Sequence, residues 1–276
     1  MTKMSSGVRD HSGLSYCGQL VKDHDPDRFL LSMFLPPVSR ESVWSLCAFN
    51  YEISKTREVV SESTLGLMRL QWWRDAIKNL YEQDTVLDHE VLKPLADTIK
   101  KHDLPREQMD KLLYAREFDL EDVLPGNLEG LMNYADFTTQ PLFELIIKAT
   151  EDDPAQYVMQ PIAINYALAG ILRATVFYAQ QHRVYLPEDL MQKYNVPKEE
   201  ILDKNNRENI KKVIQEIVDS RLPVKKSQHV FLRASEALSE MYFKQIIALD
   251  YDVFSADLLR DPKFKVLRLF WKTKIM

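Results

Sequence analysis

Between Pro154 and Leu172 the chain carries no charged side chain. Apolar residues there occupy every face of a 3.6-residue period, which indicates a helix buried on all sides or one that spans a membrane. A span needs about 20 mostly apolar residues. This run is barely that long, and Gln156, Gln160, Pro161, Asn165 and Tyr166 interrupt it. The pattern therefore predicts a buried central helix. The stretch 157–187 then ends in a polar turn, Arg183-Val184-Tyr185-Leu186-Pro187, and the rest of the chain supplies the helices that cover it.

The flanking segments read as helices too. Tyr16 to Leu31 forms a first one, broken at His24-Asp25-Pro26-Asp27 because proline disfavours helix at the residue before it. Ser39 is a suitable cap for a helix over 40–55, and Ser63 or Thr64 for the next. In that next helix Leu65, Met68, Trp72, Trp73, Ala76, Ile77 and Leu80 recur at i, i+3, i+4 and i+7. Further helices are predicted over 89–102, from Pro105 through Arg116, and over 128–148 despite Pro141. A short one restarts at Pro187, and longer ones cover 206–220, 226–250 and 264–274. No segment alternates with period two, and no repeat or low-complexity tract is present. The predicted class is all-α.

Composition narrows the picture. Of 276 residues 45% are hydrophobic, enough for a substantial core, and only 7 are glycine, which argues against Gly-rich phosphate loops. Cys17 and Cys47 form no CxxC and no disulfide framework, which points to a reducing compartment. The net charge of −5 gives no reason to expect nucleic acid. No apolar core of a secretory signal follows the first residues, and Lys3 and Arg9 before Asp10 are too few for a mitochondrial presequence. The expected organisation is a disordered or residual targeting segment over 1–15, one helical domain over 16–259, and a basic amphipathic segment over 260–276. That last segment holds six cations against Asp261, a net +5, which leaves −10 for the remainder.

Common catalytic patterns are missing. No two histidines stand four apart as in helical zinc sites, and there is no G-x-S-x-G and no P-loop. His182 reads as a cap or surface residue. Asp119, Glu121 and Asp122 read as a solvated helix end rather than a cation site.

A resemblance does emerge from Ala48-Phe49, Leu70-Gln71-Trp72-Trp73-Arg74, Arg173 and above all Arg183-Val184-Tyr185-Leu186-Pro187. From about Cys17 to about Phe254 the chain resembles the squalene and phytoene synthases, which join isoprenoid diphosphates head to head. The resemblance implies a single-domain isoprenoid-synthase-like helical bundle around a central apolar cavity. It also implies two aspartate-rich motifs on facing helices, whose carboxylates hold Mg²⁺ against the substrate diphosphates. Hard cations require oxygen ligands, preferably charged ones.

The sequence departs from the family at those motifs. The outer acidic positions of the first motif match Ser54 and Glu58, with Lys55 at an acidic position between them. The acidic positions of the second match Ala174, Phe177 and Tyr178, in a register anchored by Arg173 and by Arg183 to Pro187. Alanine and phenylalanine cannot replace carboxylates, and losing a set of metal ligands costs several orders of magnitude in rate. No catalytic residue, metal or cofactor is expected; Arg173, Arg183 and Tyr185 remain as remnants of the family motifs.

Within the family, Ala48-Phe49-Asn50, Gly66-Leu67-Met68-Arg69 and Trp72-Trp73 are similar to a branch of mitochondrial factors for respiratory complex I assembly. That resemblance implies a non-catalytic protein on the matrix side, peripheral to the inner membrane. It would act early in assembly on a membrane-arm subunit, with complex I subunits or assembly intermediates as partners. Two other readings stand beside it. One is a carrier that keeps an isoprenoid or lipid in the apolar cavity. The other is a residual isoprenoid diphosphate transferase using a shifted set such as Glu52, Glu58 and Asp119. In the C-terminal segment Lys263, Lys265, Arg268 and Lys272 interleave with Phe264, Val266, Leu267, Leu269, Phe270 and Trp271, as expected of an anionic membrane contact or of a closing helix with its lysines in water.

Overall fold

A computed structural model describes residues 13–60, 62–121 and 123–274. Among them there is no strand, so the chain is all-α. It divides into two compact units, Met1–Glu121 with Pro141–Gln156, and Asp122–Gln140 with Tyr157–Met276.

The first unit begins with α1 (Tyr16–His24) and α2 (Pro26–Ser32). The Ser15 hydroxyl caps α1 by accepting from Gly18 N, and the Asp25 carboxylate caps α2 by accepting from Arg28 N. The predicted break at Pro26 is therefore present. The expected bounds for the segment 1–15 fall mostly outside the described residues. The long helix α3 (Pro37–Ser54) starts earlier than expected. Pro37 in its first turn needs no backbone N–H partner and fixes φ for helix, so Ser39 lies inside the helix, buried, instead of capping it.

A short α4 (Thr56–Val59) leads to α5 (Ser63–Glu82). Here too the expected serine cap is corrected: the Ser63 hydroxyl donates to the Leu120 carbonyl at 2.9 Å. After α6 (Leu92–His102) and α7 (Arg106–Phe118) the unit packs around α3, which contacts α1 and α6, while α5 lies on α7. Phe49 and Trp73 meet edge to face at 5.6 Å and are closed off from solvent. Each such fully buried large side chain contributes roughly 1.5–3 kcal/mol.

Helix α8 (Leu128–Lys148) changes unit at Pro141. In the second unit the predicted central helix is α9 (Gln160–Arg173), with Ile162, Ala163, Ile164, Leu168, Ala169, Ile171 and Leu172 buried. Its 14 residues rise about 21 Å, well short of a bilayer core of about 30 Å. No helix among the described residues is long and apolar enough to cross a membrane. Pro161 takes a first-turn position, which is why the helix starts at Gln160 rather than near Pro154. The buried Asn165 exchanges two bonds with the backbone of Leu222, at 2.9 and 3.0 Å, and so costs little inside an apolar run.

The helix ends at Ala174, and a separate α10 (Thr175–Gln180) follows. Then come α11 (Glu188–Lys193), α12 (Lys198–Leu202), α13 (Arg207–Asp219), α14 (Val230–Ala248) and α15 (Lys265–Lys274). In α13 the buried residues Ile210, Val213, Ile214, Ile217 and Val218 keep the spacing read from the sequence. Helix α14 packs on both α9 and α15.

Candidate functional site

The residues matched to the first acidic motif lie at the end of α3 and in α4. The Ser54 hydroxyl donates to the Tyr51 carbonyl at 3.0 Å, and Glu58 is exposed. The carboxylate that is buried here is Glu52. It accepts from Lys55 Nζ at 2.5 Å through one oxygen and from Arg69 Nη2 of α5 at 3.0 Å through the other. Both oxygens thus face a cation of the chain itself. Nearby, Arg116 of α7 donates to Asn50 and to Asp119, each at 3.3 Å. Asp119 is buried and ion-paired, which corrects its expected place on a solvated helix end. Asp122, from the same expected cluster, lies outside the described residues.

The residues matched to the second motif lie at the junction of α9 and α10, where aromatic rings and guanidinium groups gather. Arg173, the last residue of α9, places its guanidinium 3.7 Å from the centroid of the Tyr242 ring on α14. Ala174 forms the break itself, Phe177 is exposed, and Tyr178 meets Tyr185 edge to face at 4.6 Å. Arg183 lies 5.3 Å from the Tyr178 ring and 5.1 Å from that of Tyr185, and it donates to the Tyr185 hydroxyl. Tyr185 is buried and stacks on Tyr134 of α8 at 5.2 Å. The polar turn is held in place from below, where Glu188 N donates to the Pro125 carbonyl at 2.8 Å.

This donor set does not fit Mg²⁺. At the second motif two of the three side chains have no oxygen and the third is an aromatic phenol. At the first the buried carboxylate is matched to two cations. Among the described residues no three His, Cys, Asp or Glu side chains are grouped so as to hold a metal ion.

Several partners in these clusters were not visible as such in the sequence. Tyr242 reads there only as a core position of its helix, Arg69 only as part of the run Gly66-Leu67-Met68-Arg69, and Tyr134 gives no signal. For Glu52 one signal existed: Lys55 three residues later lies on the same helical face.

The basic C-terminal segment needs one correction. Lys265 does not point to a surface. It is 9% exposed, donates to Asp261 at 2.6 Å and to the Tyr242 hydroxyl at 3.4 Å. It therefore meets the hydroxyl of the tyrosine on whose ring Arg173 stacks. Lys263, Arg268 and Lys272 are exposed.

With this geometry in view, the model of one family, squalene/phytoene synthase, matches residues 21–222. The chain belongs to the squalene/phytoene synthase family. Solved structures of the family share its fold. Squalene synthase HpnC from Alicyclobacillus acidocaldarius superposes with a TM-score of 0.71 at 16% identity, covering 86% of this chain and 93% of that one. A dehydrosqualene synthase in complex with ligand gives 0.70 at 16% identity, covering 93% and 94%. Among curated proteins, the human NADH dehydrogenase (ubiquinone) complex I, assembly factor 6 is 31% identical over 267 residues, which is 92% of this chain and 80% of that protein.

Proposed function

We propose that this protein is a non-catalytic member of the squalene/phytoene synthase family that acts in the assembly of respiratory complex I. The observation that carries the reading is the state of the family's acidic positions. Of the residues matched to those positions, Ser54, Ala174, Phe177 and Tyr178 carry no carboxylate and only Glu58 keeps one, while the neighbouring Glu52 is held between Lys55 and Arg69. A buried carboxylate without its metal would be an uncompensated charge costing several kcal/mol. Apolar and aromatic replacements, with Arg173 and Arg183 stacked on tyrosine rings, stabilise a metal-free fold instead. The assembly role comes from the relative that is 31% identical along most of the chain.

On this reading the protein works in mitochondria, on the matrix side and peripheral to the inner membrane. Its partners are complex I subunits or assembly intermediates, and it aids biogenesis of a membrane-arm subunit. The test is made in cells from which the protein has been removed. Native gels should show loss of complex I and accumulation of early intermediates, restored by the wild-type chain. Restoration should be equally good with an Arg173→Lys variant. Normal complex I in the depleted cells contradicts the assembly role.

A further inference from the structure

Helix α15 docks on the second unit by a narrow stripe. Its buried residues are Lys265, Leu269 and Thr273, spaced four apart and so on one face. Leu269 is fully enclosed, and Arg233 of α14 donates to the Thr273 carbonyl at 3.2 Å. The remaining arc carries Val266, Leu267, Phe270 and Trp271, each between 47% and 59% exposed, and Phe264 precedes it at 75%. This inverts the usual surface helix, whose apolar arc faces the core. Scattered exposed apolar residues need no explanation, but a contiguous stripe marks an interaction surface.

The charge around the stripe selects its occupant. Lys263, Arg268, Lys272 and Lys274 are exposed beside it. A groove of about 730 Å³ between α14 and α15 has Trp271 in its wall. It adds Arg233 and Lys244 to Arg268 and Lys272, against Glu236 and Glu240. Phenylalanine and tryptophan on one side of a helix and lysine and arginine beside them suit the boundary between acyl chains and headgroups. The cations are drawn to an anionic surface over a Debye length.

We propose that the outward arc of α15 is a membrane-binding element that lies in the interface of a bilayer containing anionic phospholipid, with the flanking cations and the groove meeting lipid phosphates. The inference rests on the proposed function only for which membrane is met in the cell.

The experiment uses the purified full chain and vesicles of phosphatidylcholine, alone or with one quarter phosphatidylglycerol, followed by sedimentation. The protein should sediment with the anionic vesicles and bind at least tenfold less to neutral ones or at high salt. Two variants are compared, Leu267→Ser with Trp271→Ser, and Arg268→Glu with Lys272→Glu. Each should bind at least tenfold less while melting at the wild-type temperature, because all four side chains are exposed; if one pair unfolds early, the other decides. A wild-type protein that stays in the supernatant overturns the proposal. So does binding unchanged in the folded variant, or light scattering that shows the face pairing two copies with no vesicle binding. None of these results bears on complex I in depleted cells, so the two readings fail separately.

Discussion

The Arg173 guanidinium stacks on the Tyr242 ring at 3.7 Å, and Lys265 reaches the hydroxyl of the same tyrosine from the other helix that packs on α14. One buried ring thus ties the end of α9 to α15. The arginine that the sequence matches beside the second acidic motif lies on an aromatic face. Cation–π contacts of this kind contribute about 0.5–2 kcal/mol.

Tyr242→Ala should therefore lower unfolding free energy by about 3–5 kcal/mol, the usual cost of emptying a buried aromatic site. Tyr242→Phe should cost less than about 1.5 kcal/mol, because it keeps the ring under Arg173 and removes the hydroxyl alone. Urea denaturation of the two variants checks the ranking.

Glu52 gives a second prediction. Its side chain is 6% exposed, while Lys55 and Arg69 are 22% and 33% exposed. Glu52→Gln removes one member of a mostly buried ionic cluster and leaves two cations facing each other. Full burial would put the cost near 3–5 kcal/mol; solvent at the two cations reduces it to about 2 kcal/mol. A destabilised Glu52→Gln is expected in thermal melts, with much of the loss recovered when Lys55 is also changed to Met. A neutral Glu52→Gln would show that the pair carries no structural weight.

Helix bounds were legible where spacing alone decides them. Leu128–Lys148 and the apolar stripe of α13 are where the sequence puts them, and Asp25-Pro26 breaks the first helix as proline must. Other features depend on distant partners. Arg69 lies 17 residues from Glu52 on another helix, so nothing local announces the clamp. The helix break at Ala174 occurs at the best helix former, with no glycine or proline to mark it. Lys265 looks like one more basic residue of a basic tail. The stripe Lys265, Leu269 and Thr273 is not apolar in composition, so it does not read as a docking face. The acidic positions of the candidate site are named from the sequence, whereas their partners Arg69 of α5, Tyr134 of α8 and Tyr242 of α14 required the fold.

His102 supplies a pH dependence. It is buried, and its Nε2 lies 3.0 Å from the Ser42 hydroxyl. Burial first, and Lys101 next, push its pKa below the ordinary 6.5. The folded state then binds the proton less well than the unfolded chain. Above pH 6.5 both states hold neutral imidazole and no penalty arises. Below it the unfolded state gains protons first, so stability falls with pH until the folded pKa is passed. Denaturation between about pH 7.5 and about pH 5.5 should show this loss. It should be smaller in His102→Asn, and an identical slope in the variant would assign the effect to other groups.

Gly18 faces the Trp44 indole, where an added Cβ would lie 2.8 Å from ring carbon Cε3. The ring cannot retreat easily, since its Nε1 donates to Ser32 at 2.8 Å and it stacks on Phe29 at 5.5 Å. Alanine gains about 1 kcal/mol of helix propensity but overpacks the site by about 1–3 kcal/mol. Gly18→Ala should therefore be neutral to destabilising by about 2 kcal/mol in chemical denaturation. A stabilised variant would mean that α1 shifts freely over Trp44.

On the proposed function, the fold has been kept without metal-dependent chemistry. Calorimetric titration of the purified protein with farnesyl diphosphate, with and without Mg²⁺, tests it most directly when paired with an assay for released pyrophosphate. Neither Mg²⁺-dependent binding nor pyrophosphate release is expected. Micromolar binding that appears only with Mg²⁺, followed by pyrophosphate release, would contradict it.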